Sequence, residues 1–303
     1  MEAVVVKNLT KTYGKEQTVA VDDVSFSVNQ GELFGLIGPD GAGKTSIFRM
    51  LTTLLLPDGG SASVDGHDIV KDFRAIRSSV GYMPGKFSLY QDLTIEENLH
   101  FFATVFGTTI EENYHLIKDI YVQIEPFKSR RAGKLSGGMK QKLALCCALI
   151  HQPTTLFLDE PTTGVDPVSR KEFWEMLKRL KEQNITILVS TPYMDEASLC
   201  DRIALIQGGK ILSIDKPDNI VNGYPDTLLA VKADQMYRLL KVLEKHPDML
   251  NSYAFGEYAH AVFANGQMQP EALESYLHAH GLSGVEVLAA RATIEDSFIK
   301  LLH

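Results

Sequence analysis

Short apolar runs separated by turn residues fill the first part of the chain. Val4–Val6 is a β-branched run, and Val19–Val28 has partly alternating apolar positions, the pattern of half-buried strands. Leu33–Ile37 is a short apolar run that ends in a glycine-rich turn. From Lys44 the pattern becomes helical, with Ile47, Phe48, Leu51, Leu54 and Leu55 at helical spacing, and Pro57-Asp58-Gly59-Gly60 is expected to stop that helix. The stretch Leu93–Phe127 reads mostly helical. Thr155–Leu158, Ile185–Val189 and Ile203–Ile206 are short apolar runs with helical text between the first two, which predicts parallel βαβ units and an α/β fold class.

The style changes after Asp215. Lys216-Pro217-Asp218 and Asn222-Gly223-Tyr224-Pro225 punctuate a linker. Beyond it the pattern predicts a strand over Thr227–Ala233, a helix over Gln235–His246 and a hairpin around Gly256-Glu257. A helix over Pro270–His280, a strand over Val285–Ala289 and a last helix capped by Thr293 and Asp296 follow. The βαββαβ order predicts a small ferredoxin-like unit over residues 221–303.

Composition narrows the classes. The chain has 303 residues, 45% hydrophobic and 22% charged, which is globular and long enough for one large domain or two. Thirty Lys and Arg against 38 Asp and Glu leave a net charge of −8, so nucleic acid is not an expected partner. The three cysteines, Cys146, Cys147 and Cys200, suit neither a disulfide scaffold nor a zinc site. The nine histidines form no H-x-x-x-H or comparable ligand set, and His278-Ala279-His280 reads as a surface helix end. No secretory signal is apparent at MEAVVVKNLT, and apolar stretches such as Leu143–Ile150 fall far short of the roughly 20 residues of a membrane span. A cytoplasmic chain is expected, one that sits on a membrane only through a partner.

Two sequence motifs carry chemistry. Gly38-Pro39-Asp40-Gly41-Ala42-Gly43-Lys44-Thr45 fits G-x-x-x-x-G-K-[ST] and lies between an apolar strand and a helix. Its glycines let backbone N–H groups turn around phosphate oxygens, and the helix N-terminus adds positive potential. Lys44 would reach the β- and γ-phosphates, Thr45 would ligate Mg²⁺, and Ser46 continues the cradle. Downstream, Thr155–Leu158 runs into Asp159 and Glu160. There Asp159 is expected to hold the magnesium and Glu160 to polarise an attacking water.

Between these motifs stands Leu135-Ser136-Gly137-Gly138-Met139, opening a helix with Met139, Leu143, Cys146, Cys147 and Ile150 on one face. The cysteines on that face read as core filling. Over roughly residues 3–220 the motif order resembles the nucleotide-binding domain of ABC transporters. The resemblance implies a P-loop NTPase over 1–220: a RecA-like parallel core sheet, an antiparallel β subdomain and a helical subdomain over about 86–145. The small α+β appendage follows. It further implies adenine stacking on Tyr13 and contact of Gly164-Val165-Asp166-Pro167 with an opposite subunit. ATP would be clamped between one chain's phosphate loop and the Ser136-Gly137-Gly138 segment of another. The implied function is an ATPase subunit, peripheral on the inner face of the cell membrane, that powers separate permease subunits. Tyr193-Met194-Asp195-Glu196-Ala197, Cys200-Asp201-Arg202-Ile203 and Ile294–Ile299 look most like the exporter branch with ABC-2-type permeases. A soluble ABC ATPase acting on ribosomes or DNA, and a regulatory subunit in which ATP is only a clamp, are the alternatives.

Two positions depart from the family pattern. In Tyr82-Met83-Pro84-Gly85-Lys86 a glycine stands where the family usually has a glutamine that touches Mg²⁺ and the attacking water. In Ser190-Thr191-Pro192 a proline stands where a histidine usually contacts the γ-phosphate, and proline has no N–H to offer instead. The resemblance therefore implies a site that binds MgATP but hydrolyses it slowly, and favours a heterodimer over a homodimer. The alternative is an ordinary homodimeric ATPase in which nearby groups such as Lys86 substitute.

Overall fold

The computed structural model describes residues 1–14, 17–264 and 268–302. The chain divides into two units, Met1–Pro217 and Asp218–His303. In the first, β1 (Glu2–Tyr13), β2 (Thr18–Asn29), β3 (Leu33–Ile37), α1 (Lys44–Leu51), β4 (Gly59–Val64) and β5 (His67–Asp68) come first. Then come α2 (Phe73–Ser79), β6 (Val80–Met83), α3 (Ile95–Val105), α4 (Ile110–Tyr121), α5 (Gly137–Leu149) and β7 (Thr155–Asp159). The unit closes with α6 (Pro167–Glu182), β8 (Thr186–Thr191), β9 (Arg202–Gln207) and β10 (Lys210–Asp215). The helix α7 (Pro217–Asn222) falls where the chain passes to the second unit.

Six strands form a sheet of order β10-β9-β3-β8-β7-β6, parallel except for the β9–β10 hairpin. A second, antiparallel sheet has the order β2-β1-β4-β5. The strands β3, β7 and β8 are buried at every residue, as expected of strands covered on both faces. The side chains of α1 fill the space between the sheets: Ile47, Phe48, Met50 and Leu51 share one core with Val4 and Val24 and with Phe157 and Leu188. Phe48 meets Phe157 edge-on at 5.7 Å, and Phe26 stacks on Phe34 at 5.5 Å. Thr94 and Glu97, and Thr109 and Glu112, form capping boxes that start α3 and α4.

Two expectations need correction. The helix α1 ends at Leu51, well before Pro57. Thr53 takes a left-handed φ of 63°, and Arg77 donates to both its carbonyl (2.8 Å) and its hydroxyl (2.8 Å), so the chain turns away. Leu54 is 52% exposed as a result, not part of the buried face. Nor is α5 one-faced, because Leu145, Ala148 and Leu149 are buried along with Leu143, Cys146 and Cys147. Burial pushes both thiols well above their ordinary range, which suits packing and not reactivity.

The second unit runs β11 (Thr227–Lys232), α8 (Met236–Leu243), β12 (Met249–Phe255), β13 (Tyr258–Phe263), α9 (Pro270–Ala279), β14 (Glu286–Ala289) and α10 (Ile294–Leu301). Its sheet has the order β12-β13-β11-β14, with every pairing antiparallel. Leu239 and Leu243 of α8 and Leu273 and Leu277 of α9 pack on the face carrying Val231, Ala261 and Phe263. The alternation along β13 puts His260 on the other face, where Asp296 of α10 meets it. Asp296 is fully buried and accepts hydrogen bonds from His260 Nδ1 (2.5 Å), Tyr253 Oη (2.6 Å), Thr293 N (2.6 Å) and Thr293 Oγ1 (2.7 Å). Among the described residues, no helix is long and apolar enough to cross a membrane.

Burial alone would push the Asp296 carboxyl up, but the donors on it prevail and hold it at about 2, below its ordinary 3.8. The stabilisation this carboxylate gives is complete above about pH 4 and is lost as pH falls through about 2. Asp296→Asn is expected to cost about 1–3 kcal/mol near neutrality. It should also flatten the acid limb of the second unit's stability curve, measured by hydrogen exchange of the α10 and β13 amides between pH 5 and 2.

Candidate nucleotide site

The phosphate-loop residues lie between β3 and α1, at the C-terminal edge of the parallel sheet. Gly38 N donates to Thr191 O (3.2 Å), and a Cβ at position 38 would stand 2.1 Å from Ile206 O, so β9 leaves room only for glycine. Gly43, with φ of 105°, precedes α1, and a Cβ there would meet Ala20 O at 2.3 Å. No side chain caps α1 and its first turn carries no acid, so its leading N–H groups and dipole are left for an anion. Pro39 lies half-buried and Ala42 is buried, while Asp40, Gly41 and Thr45 are exposed.

Lys44 is 3% exposed. Its ammonium donates to Gly38 O (2.8 Å) and Pro39 O (2.9 Å) and stands 3.3 Å from Glu160 Oε1. Tyr13, at the end of β1, hydrogen-bonds through its hydroxyl to Ser46 Oγ (3.1 Å), which brings a 40% exposed ring beside the start of α1.

On the other side, β7 ends at the buried Asp159, whose Oδ1 accepts from Ser190 Oγ at 2.6 Å. The chain then reverses at Glu160, which has a φ of 49° and donates its N–H to both O and Oγ of Ser190 at 3.0 Å. That turn aims Glu160 at Lys44 instead of continuing the strand. Burial first, and the Asp159 carboxylate next, push the neighbouring Tyr82 phenol up to about 12. A Cβ at position 85 would lie 3.1 Å from Asp159 O and 3.8 Å from Glu160 Cβ. A side chain at 85 would thus start on the carboxylate turn. Pro192 directly follows Thr191, whose carbonyl holds Gly38.

Ser136, Gly137 and Gly138 are brought to a different neighbourhood. Ser136 caps α5, accepting from Met139 N (3.3 Å). A Cβ on Gly137 would be 3.3 Å from Gly164 O, and one on Gly138 only 2.7 Å from Ser169 Oγ. Asp166 is exposed and caps α6, accepting from Ser169 N (3.0 Å), a bond that holds its carboxyl below the ordinary range. Ser136–Gly138 and the Asp166 turn therefore form one surface.

Sequence reasoning missed two features. One is the part played by Ser190, which ties Asp159 to the Glu160 backbone, and by the buried Glu196 beyond it; both stood in the strings Ser190–Pro192 and Tyr193–Ala197 with no role given to either. The other is a groove of about 190 Å³ lined by Tyr82, Met83, Pro84, Phe102, Phe106 and His151. Phe106 stacks on His151 at 3.8 Å there, and burial lowers the pKa of that imidazole.

Residues 21–163 match the ABC transporter family. Over 97% of its length the chain is 33% identical to the Nod factor export ATP-binding protein I of Mesorhizobium japonicum, covering 84% of that protein. The chain belongs to the ABC transporter ATP-binding proteins. It is also 37% identical, over 99% of its length, to the probable multidrug ABC transporter ATP-binding protein YbhF of Escherichia coli, of which it spans about half (52%). A dimeric ATP-binding cassette bound to ADP and phosphate, in a post-hydrolysis state, superposes with a TM-score of 0.64 at 26% identity, over 70% of this chain and 98% of that one. The first unit thus carries an ABC ATPase domain of the P-loop, α/β class.

The close approach at Gly38 yields a direct test. Gly38→Ala should cost about 1–3 kcal/mol of stability through overpacking against β9 and should abolish nucleotide binding. Gly41→Ala meets no atom within 4 Å, and only the left-handed φ of 78° opposes it, so thermal melting should show the smaller loss for it, about 1 kcal/mol.

Proposed function

We propose that this ABC protein is the ATP-binding and ATP-hydrolysing subunit of a multi-chain membrane exporter. Residues 1–220 form the ATPase and 221–303 a ferredoxin-like appendage. The observation that carries the reading is the convergence of Lys44, Asp159 and Glu160 on one end of the parallel sheet, with Lys44 Nζ 3.3 Å from Glu160 Oε1. Gly38–Ser46 cradle the phosphates with backbone N–H groups, and Tyr13 stacks on the base. The Lys44 ammonium, already desolvated, moves from carbonyl acceptors to phosphate oxygens. Glu160 takes the proton of the attacking water. The Thr45 hydroxyl and the Asp159 carboxylate, hard oxygen donors, fit Mg²⁺, which would neutralise phosphate charge.

Ser136, Gly137, Gly138 and Asp166 face a second nucleotide-binding chain, and each chain completes the other's site. The dimeric relative bound to ADP and phosphate supports that arrangement. The apolar groove between Tyr82 and Phe106 is where a permease segment docks. Similarity to a Nod factor export protein and a probable multidrug transporter protein supports export as the direction.

The site on this chain's own phosphate loop is slow. Position 85 looks onto Asp159 and Glu160 but bears no side chain, and position 192 bears a proline. One missing charge-stabilising donor lowers turnover by about 10²–10³, and two lost together need not multiply. The intact Ser136–Gly138 segment serves a non-identical partner, which makes a heterodimer the favoured assembly.

Steady-state ATP turnover of the purified chain should rise at least about tenfold in the Gly85→Gln, Pro192→His double variant. Equal rates in the two proteins would sink the slow-site reading. A tagged chain isolated from membranes should bring down a second, different nucleotide-binding chain together with a multi-span protein. Co-sedimentation with ribosomes through a salt wash would favour the soluble alternative instead. If ATP only clamps, Glu160→Gln will leave transport unchanged.

A further inference from the structure

Glu196 is 2% exposed and has no part in the scheme above. Three donors converge on it, Thr191 Oγ1 (2.5 Å) and Thr162 Oγ1 (3.1 Å) on Oε2 and Arg170 Nε (3.1 Å) on Oε1, and Arg170 Nη2 adds an ion-pair contact with Oε1 at 3.0 Å. Arg170 also reaches Asp195 (3.3 Å), and its guanidinium lies 4.2 Å from the centre of the Tyr193 ring. Tyr193 N in turn donates to Thr191 Oγ1 (3.1 Å).

The three segments joined in this way all abut the nucleotide site. Thr162 is two residues beyond Glu160. Thr191 holds Gly38 N through its carbonyl and leads into Pro192. Arg170 lies on the first turns of α6, next to Ser169, which touches Gly138. Because Pro192 has neither N–H nor polar side chain, the loop after β8 takes its anchors from its neighbours Thr191 and Tyr193. A buried carboxylate satisfied by charged and hydroxyl donors is a rigid node, since losing any donor leaves it underpaired.

We propose that Glu196, with Arg170, is a positioning residue for the terminal phosphate: it fixes the Glu160 turn and the Thr191–Tyr193 loop, and so sets how strongly the site distinguishes ATP from ADP. The proposal rests on the nucleotide reading of the phosphate loop. The loop amides and α1 hold the inner phosphates and meet this node only at Gly38 N, through the Thr191 carbonyl, whereas the Glu160 turn and the Thr191–Tyr193 loop are tied to it by their own side chains. Loosening the node should therefore weaken binding of the triphosphate and leave the diphosphate unaffected.

The test is equilibrium binding of MgADP and of the non-hydrolysable β,γ-imido analogue of MgATP to the full chain, with thermal melting alongside. Glu196→Gln keeps the volume and removes the charge that Arg170 pairs with. It should weaken the analogue about tenfold and leave MgADP within about twofold of wild type. Parallel weakening of both nucleotides together with a lowered Tm would mean a merely structural clamp and overturn the proposal. So would unchanged affinity for both. Thr162→Val, which removes one hydroxyl donor at constant shape, is expected to shift the same ratio in the same direction and serves if Glu196→Gln does not fold. Failure of the wild-type chain to bind either nucleotide would overturn the nucleotide reading itself and this proposal with it.

Discussion

A buried ammonium organises the nucleotide end of this molecule. Lys44 is almost fully removed from water, and a charge there needs partners. It takes them from both sides of the site: Gly38 and Pro39 carbonyls from its own loop, and the Glu160 carboxylate from the end of β7. Those partners exist only if β3 and β7 end at the same level and if the chain reverses at Glu160. The parallel order β3-β8-β7 provides the first condition, and the paired hydrogen bonds from Glu160 N to Ser190 provide the second. The whole sheet thus serves to bring one cation, two carboxylates and a set of backbone N–H groups to one place.

The N-termini of α1 and α5 in the ABC ATPase unit are prepared differently. The helix α1 has no side-chain cap, and its donors are left to a ligand. At the start of α5, Ser136 satisfies Met139 N, and the flanking glycines let that turn press against Gly164 and Ser169. The Asp166 cap of α6 stiffens the same surface. One face thus leaves helix N–H groups open to an anion, and the other is closed by its own serine cap and by backbone packing. The buried node at Glu196 lies between the two faces and touches segments of both.

Much of this was legible along the chain because the signals are local. The apolar runs marked β3, β7, β8 and β9, and glycine spacing marked the turn into α1. Thr293 and Asp296 announced the capping box of α10, which the structure forms. What failed to show was long-range. Thr53, Leu54 and Leu55 look helical in sequence, but Arg77, more than twenty residues away, captures the Thr53 carbonyl and ends α1. His260 reads as an isolated histidine until α10 folds back and delivers Asp296 to it. Nothing local in Tyr193-Met194-Asp195-Glu196-Ala197 marks Glu196 as buried, and its burial depends on Arg170, Thr162 and Thr191 arriving from three other segments.

The sequence by itself determined which residues could cradle a phosphate, because a glycine loop, a lysine and a helix start are defined by neighbours a few positions apart. It also determined that a glycine stands at position 85 and a proline at position 192, where the family resemblance implies glutamine and histidine. Only the tertiary structure decided that position 85 looks onto Asp159 and Glu160, and that Pro192 follows the carbonyl that anchors Gly38. The physical reason is strand order: β3, β6, β7 and β8 lie far apart along the chain, and pairing in a parallel sheet is set by burial and crossover helices. No local pattern specifies which strand ends will share a corner.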